Sequence, residues 1–113
     1  MESILTSVKK MLGIVEEYDH FDPDIIIHIN SVFLVLNQIG VGPKEGFAIE
    51  DKSTTWDEYI GDNLLLNAVK SYLYLKVRLL FDPPLSSAVE KSSNELLKEL
   101  EWRIRLAIEQ QSE

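Results

Sequence analysis

The chain of 113 residues contains no cysteine and only two histidines, His20 and His28. The absence of cysteine excludes disulfides, thiol nucleophiles and thiolate metal sites. No glycine-rich phosphate-binding loop occurs either, and no nucleophile is paired with a base in a recognisable catalytic pattern. The sequence therefore favours an interaction protein over an enzyme, and we expect no catalytic residue and no cofactor.

Two short stretches resemble metal sites, and both fail on inspection. His20 lies between Asp19 and Asp22, but no second histidine follows at ligand spacing. The stretch from Asp51 begins like a calcium-binding loop, but Trp56 occupies the position that needs glycine, and no glutamate follows at the twelfth place. We therefore expect no metal.

The chain is acidic, with 11 lysines and arginines against 19 aspartates and glutamates and a net charge of −8. This balance argues against direct binding to DNA phosphates, which requires clustered lysine and arginine. Some of the acids are grouped, and the simplest interpretation is a solvated surface. The functional alternative for the cluster Glu16, Glu17, Asp19, Asp22 and Asp24 is an acidic patch or a pore lining that repels DNA.

Length and composition bound the overall organisation. With 45% hydrophobic and 27% charged residues, the sequence is typical of a globular protein, and we expect residues 1–113 to form one domain. The first twelve residues have no uninterrupted apolar run, so we expect no signal peptide. Charged residues interrupt the longest apolar stretch too often for a membrane span.

That apolar stretch, from Asp62 to Phe81, predicts the central helix. Its apolar residues fall nearly all round the helix, which predicts burial by other helices or by neighbouring subunits. Proline at positions 83 and 84 ends it.

Two helices are predicted before the central one. The first runs over Ser3–Leu12 and ends at Gly13, which suits a left-handed cap. The second begins at Asp22 and Pro23, where the aspartate accepts from first-turn amides, and ends near Ile39. Ile25 to Ile27 would also suit a strand, but the cap and the length favour a helix.

The last helix is predicted to start at Ser86 or Ser87, with Ser87 and Glu90 as a capping box. A second capping pattern at Ser92 allows a kink or a fresh start. The solvent-exposed side of this helix carries two i, i+4 ion pairs, Glu99 with Arg103 and Glu101 with Arg105. In both, the glutamate comes first, which is the favourable order.

Between the second and central helices, residues 41–55 form a long irregular segment that precedes a short turn capped by Thr55 and Glu58. The fold class is thus an all-α bundle of about four helices, with a short helix, two core helices, a long C-terminal helix and this long loop. Candidate contacts with another subunit or partner are Phe47, Ile49, Trp56, Trp102, Arg103 and Arg105.

Several motifs, taken in order, resemble those of the head–tail connector, or adaptor, proteins of tailed bacteriophages and prophages. They are Val8–Ile14 in the first helix, Asp22–Pro23, the leucine-rich central helix, Phe81–Pro84, and Glu99–Arg103 in the closing helix. The resemblance covers most of the chain.

This resemblance implies a structural virion protein, made in the host bacterial cytoplasm and located at the head–tail junction. Its partners would be further copies of itself in a dodecameric ring, the portal protein, and a tail-completion or stopper protein. DNA would pass through the ring without specific binding. The candidates for acids that face this channel are Glu16, Glu17, Asp19, Glu45, Glu50 and Asp51. A free subunit could be monomeric, with the 41–55 loop gaining order on assembly. The alternative is a small helical regulatory protein that binds one protein partner, and oligomeric state separates the two.

Overall fold

Five helices account for the regular structure of the chain in the computed structural model, which describes residues 2–111. Within that range the β-structure is limited to one isolated bridge between Ser3 and Thr55. The all-α prediction is confirmed. In chain order the helices are α1 (Ile4–Met11), α2 (Asp22–Gln38), α3 (Trp56–Ile60), α4 (Leu66–Phe81) and α5 (Ser87–Gln111).

Helix α4 lies between α2 and α5 and packs along both, so the predicted central position is confirmed. Its start was predicted wrongly, and the other helices of the same chain do not bury it completely. The chain turns first, with Asn63 Oδ1 accepting from the Leu65 amide at 2.9 Å, and the helix begins only at Leu66. Leu64 is consequently 94% exposed, and Leu80 is also exposed near the other end. Within the described chain, α4 is covered on part of its surface only.

The predicted stripe of α2 is buried throughout, which confirms the helix over the strand alternative; it consists of Ile25, Ile29, Val32, Phe33 and Leu36. Glycines end the first two helices as the sequence indicated. Gly13 and Gly40 have φ of 81° and 101°, and the amides after them bond back to Lys9 and Leu36, each at 2.9 Å. These closures satisfy carbonyls that a helix end leaves unpaired.

Asp22 does not cap α2, contrary to the sequence-based expectation. The N-cap position is Phe21, and no side chain bonds to the first-turn amides. The Asp22 carboxylate instead lies 2.9 Å from the ammonium of Lys9, although the approach angle is not that of a hydrogen bond. The same ammonium donates to the Glu16 carbonyl at 2.8 Å, and the Lys9 side chain is only 3% exposed. The carboxylate is therefore used to pair a buried charge, which would be costly alone.

Helix α5 is continuous through Ser92, so the suggested fresh start does not occur. Its cap is the hydroxyl of Ser86, which accepts from the Val89 amide at 3.4 Å, one residue earlier than the predicted box of Ser87 and Glu90. The two predicted i, i+4 ion pairs of this helix are both present at 2.9 Å.

The 41–55 segment contains no helix or strand but is fastened to the helices. The Asn30 side chain bonds both backbone groups of Ile49, at 2.8 and 3.0 Å, and Asn37 donates to the Pro43 carbonyl at 2.8 Å. At its end, the Trp56 indole donates to the buried Ser7 hydroxyl at 2.9 Å. The expectation that this loop awaits assembly to become ordered finds no support in these contacts.

Aromatic rings join the loop to the core. The ring centroid of Tyr59 lies 4.6 Å from that of Phe33 and 4.8 Å from that of Phe47. The Tyr59 hydroxyl is buried and has no hydrogen-bond partner among the described residues. Burial raises the pKa of this phenol well above its ordinary value, because the charged form is disfavoured there.

Lys9→Met should destabilise the fold by about 2 kcal/mol, because it leaves the Glu16 carbonyl and the Asp22 carboxylate without their cation. The free energy of unfolding, measured by urea denaturation, checks this. Lys10→Met at the adjacent exposed position is the matched control and should change stability by less than about 0.5 kcal/mol. Equal stability of the two variants would contradict a structural role for the buried ammonium.

Tyr59→Phe should retain or raise stability at neutral pH, because it removes an unpaired buried hydroxyl. The raised folded-state pKa means that the native state binds this proton more tightly than the unfolded state. The stability contribution is therefore complete below the ordinary phenol value of 10.0 and is lost above it. Unfolding curves measured from pH 7 to 11.5 should show a smaller alkaline loss for the variant; parallel curves would oppose this assignment.

Candidate functional site

Acidic residues from two distant parts of the chain meet at one groove, which we call the acidic groove. Its carboxylates come from the α1–α2 loop, from the start of α2 and from the end of the 41–55 segment; they are Glu16, Glu17, Asp19, Asp22, Glu50 and Asp51. Leu5, Pro23 and Ile26 form its apolar part, and Lys52 also lines it. Five of the six predicted channel-facing acids are thus brought together.

Polar contacts hold both stretches in place. Lys9 fixes the first through the Glu16 carbonyl, and Asn30 fixes the second through Ile49, the residue before Glu50. Asp51 accepts from both the amide and the hydroxyl of Ser53, and these hydrogen bonds lower its pKa. The backbone of both stretches is thus held in place, and most of the carboxylates they carry form no ion pair within residues 2–111.

Glu45, the sixth predicted acid, lies elsewhere. It borders a second groove between α2 and the loop, which we call the α2–loop groove. The residues that line this groove are Asn30, Phe33, Leu34, Asn37, Glu45, Gly46, Phe47 and Ala48. Its walls combine the aromatic residues Phe33 and Phe47 with side-chain amides and one carboxylate, and aromatic side chains are enriched at protein-binding surfaces.

Two of the predicted contact residues are not at the surface. Ile49 and Trp56 are each 2% exposed, so neither reaches a partner in this fold. Both are buried because their polar groups find partners inside: the Ile49 backbone on Asn30, and the Trp56 indole on Ser7. Phe47 is half-buried in the wall of the α2–loop groove. These residues were predicted to contact a partner because their side chains are large, but size alone does not distinguish an interface anchor from a core residue.

The other predicted contact residues lie on the exposed side of α5. Trp102 is 58% exposed, as expected for a residue off the buried stripe. Arg103 and Arg105 are also exposed, but each guanidinium is bound to a glutamate of its own helix. Exposed pairs of this kind contribute little to stability, and a neighbour would have to compete for them.

Sequence reasoning missed the outer face of α2. Ile27 and Leu34 are 62% and 61% exposed, on the side opposite the buried stripe. The signal was available, because seven residues separate them and place both on one helical face. In the sequence, the many apolar residues around Ile27 and Leu34 obscure this seven-residue spacing.

Residues 2–111 contain neither a recognisable metal site nor a helix suited to span a membrane. No group of three or more histidines and carboxylates there has the arrangement of a metal site. His20 is exposed beside the rings of Tyr18 and Phe21. Among the helices described, none combines the length and the apolar character needed to cross a bilayer.

Comparison with protein families decides the class. The family model described as phage connector protein matches residues 4–111, which is nearly the whole chain. The chain belongs to the phage connector protein family. Searches of curated proteins and of solved structures found no match.

Membership confirms the resemblance drawn from the motifs and makes this connector a protein of a structural bacteriophage family. A connector works through its surfaces, so its functional sites are the faces that other virion proteins contact. The acidic groove, the α2–loop groove and the outer faces of α2 and α5 are the candidates that this fold offers.

Proposed function

We propose that this connector forms a ring at the portal vertex of the virion and extends the DNA channel between portal and tail. The ring is dodecameric in this proposal, and its neighbours are the portal protein and a tail-completion or stopper protein. The chain acts as a structural element, and DNA passes through without specific binding.

The observation that carries this proposal is the acidic groove. Glu16, Glu17, Asp19, Glu50 and Asp51 make no ion pair with a lysine or arginine of the described chain. Lys52 also lines the groove but pairs with none of them, so these five carboxylates leave a net negative charge there. A channel wall with this charge repels phosphates over about 8 Å at physiological salt and does not hold the DNA as it slides. We place this groove at the lumen of the ring.

Fixing the groove by buried contacts suits the same role. Carboxylates held near one another repel, and this cost is compensated by the Lys9 and Asn30 contacts that anchor the two stretches. A surface with no task could relieve the repulsion by separating the stretches. The contacts instead keep negative charge concentrated on one face.

The mass of the assembled protein tests the ring. Light scattering over a wide concentration range, with and without the portal protein encoded in the same phage or prophage genome, should detect a ring-sized species, either alone or on the portal. A monomer or dimer that never joins the portal would contradict the proposal and favour a regulatory protein with a single partner.

Charge reversal tests the placement of the groove. Glu16→Lys with Glu17→Lys should slow DNA ejection from assembled particles several-fold, because the new cations attract phosphates, and added salt should reverse the effect. The matched control, Asp57→Lys with Glu58→Lys, makes the same change at two adjacent exposed positions of α3 that do not line the groove. Equal ejection rates from the two kinds of particle would remove the groove from the lumen.

A further inference from the structure

The two long helices that flank α4 each retain an uncovered apolar face. On α2 this face consists of Ile27 and Leu34, with the uncharged Ser31 and Gln38 on the same side. On α5 it consists of Trp102 and Leu106, opposite the buried Leu97 and Ile104. Since α2 and α5 each pack on α4 and not along each other, these two faces are different surfaces of the subunit.

The face of α2 continues into the α2–loop groove. Leu34 lies on both, and the rings of Phe33 and Phe47 line the groove beside it. The face of α5 presents Trp102, a large rigid side chain that is 58% exposed. Tryptophan is among the side chains most often found as an anchor in a partner's pocket. The face of α2 thus includes a groove, and the face of α5 presents an exposed indole ring that a groove of this kind can accept.

The charges beside these features are complementary. Glu45 borders the groove, and Lys98 precedes Trp102 by one helical turn. Both are exposed, and neither forms an ion pair within residues 2–111. Elsewhere the chain is strongly acidic, so most contacts between two copies would bring carboxylates together. Glu99 also lies one helical turn before Trp102, but it is paired with Arg103 of its own helix. Lys98 is therefore the unpaired charge that a contact between copies brings to Glu45.

We infer that adjacent copies of this connector contact each other through these faces, with Trp102 of one copy in the α2–loop groove of the next. The inference rests on the proposed ring and assigns its subunit interface. Because the two faces are different surfaces of the subunit, the contact is head-to-tail and can repeat until a ring closes.

Cysteine crosslinking tests this directly, because the natural chain contains no cysteine. The double variant Leu34→Cys, Leu106→Cys, treated with a short bismaleimide alone and with the portal protein, should give a ladder of dimers, trimers and larger species. A mixture of the two single variants should give dimers only, since each copy then carries one thiol. The control pair Leu34→Cys, Lys91→Cys keeps one thiol and moves the other toward the start of α5.

Charge exchange provides a second measurement that does not need thiols. Lys98→Glu should reduce ring formation measured by light scattering, and adding Glu45→Lys should restore it. If rings form but the pair Leu34→Cys, Leu106→Cys crosslinks no more than the control pair, this interface is overturned and the proposed function stays intact. The absence of any ring and of any crosslink, with or without portal, would overturn both. Dimers from one single variant alone would indicate a symmetric contact and would also overturn it.

Discussion

Helix α4 is the element on which the rest of the fold depends, because α2 and α5 each pack along it. Val69, Leu73 and Val77 are fully buried within this arrangement. The ends of α2 and α5 also approach, with Ile108 beside Gly40, but the two helices do not pack along their length. A central helix shared in this way leaves each outer helix with a free face. Oligomer contacts can therefore form without any rearrangement of the core.

Polar side chains decide where the remaining chain lies. A loop gains little from apolar burial, so its path is set by groups that must satisfy their hydrogen bonds. Lys9 does this for the α1–α2 loop, and Asn30 and Asn37 do it for the 41–55 segment. The acidic groove follows from these contacts, since they bring together two groups of carboxylates that are 28 to 35 positions apart in the sequence. Surface charge here is organised by buried or half-buried polar groups.

Local patterns predicted much of the fold. The buried stripe of α2, the glycine ends of α1 and α2 and the ion pairs of α5 depend on residues a few positions apart, and all are present. Errors arose where the partner is distant in sequence. Asp22 pairs with Lys9 instead of capping its own helix, and Trp56 reaches Ser7 instead of the surface. The meeting of the two acidic stretches could not be predicted, because it depends on tertiary contacts that no local spacing encodes.

The net charge of −8 sets a condition on any assembly of this connector. Each copy that joins the proposed ring adds acid to those already present, so long-range repulsion grows with the number of subunits. An interface whose centre is uncharged avoids the further cost of burying unpaired carboxylates. Ile27, Leu34 and Trp102 meet this requirement, and the Lys98 and Glu45 charges at the edge are opposite in sign. Ile27, Leu34 and Trp102 do not line the acidic groove, so a repelling lumen is compatible with self-contact elsewhere in a closed ring.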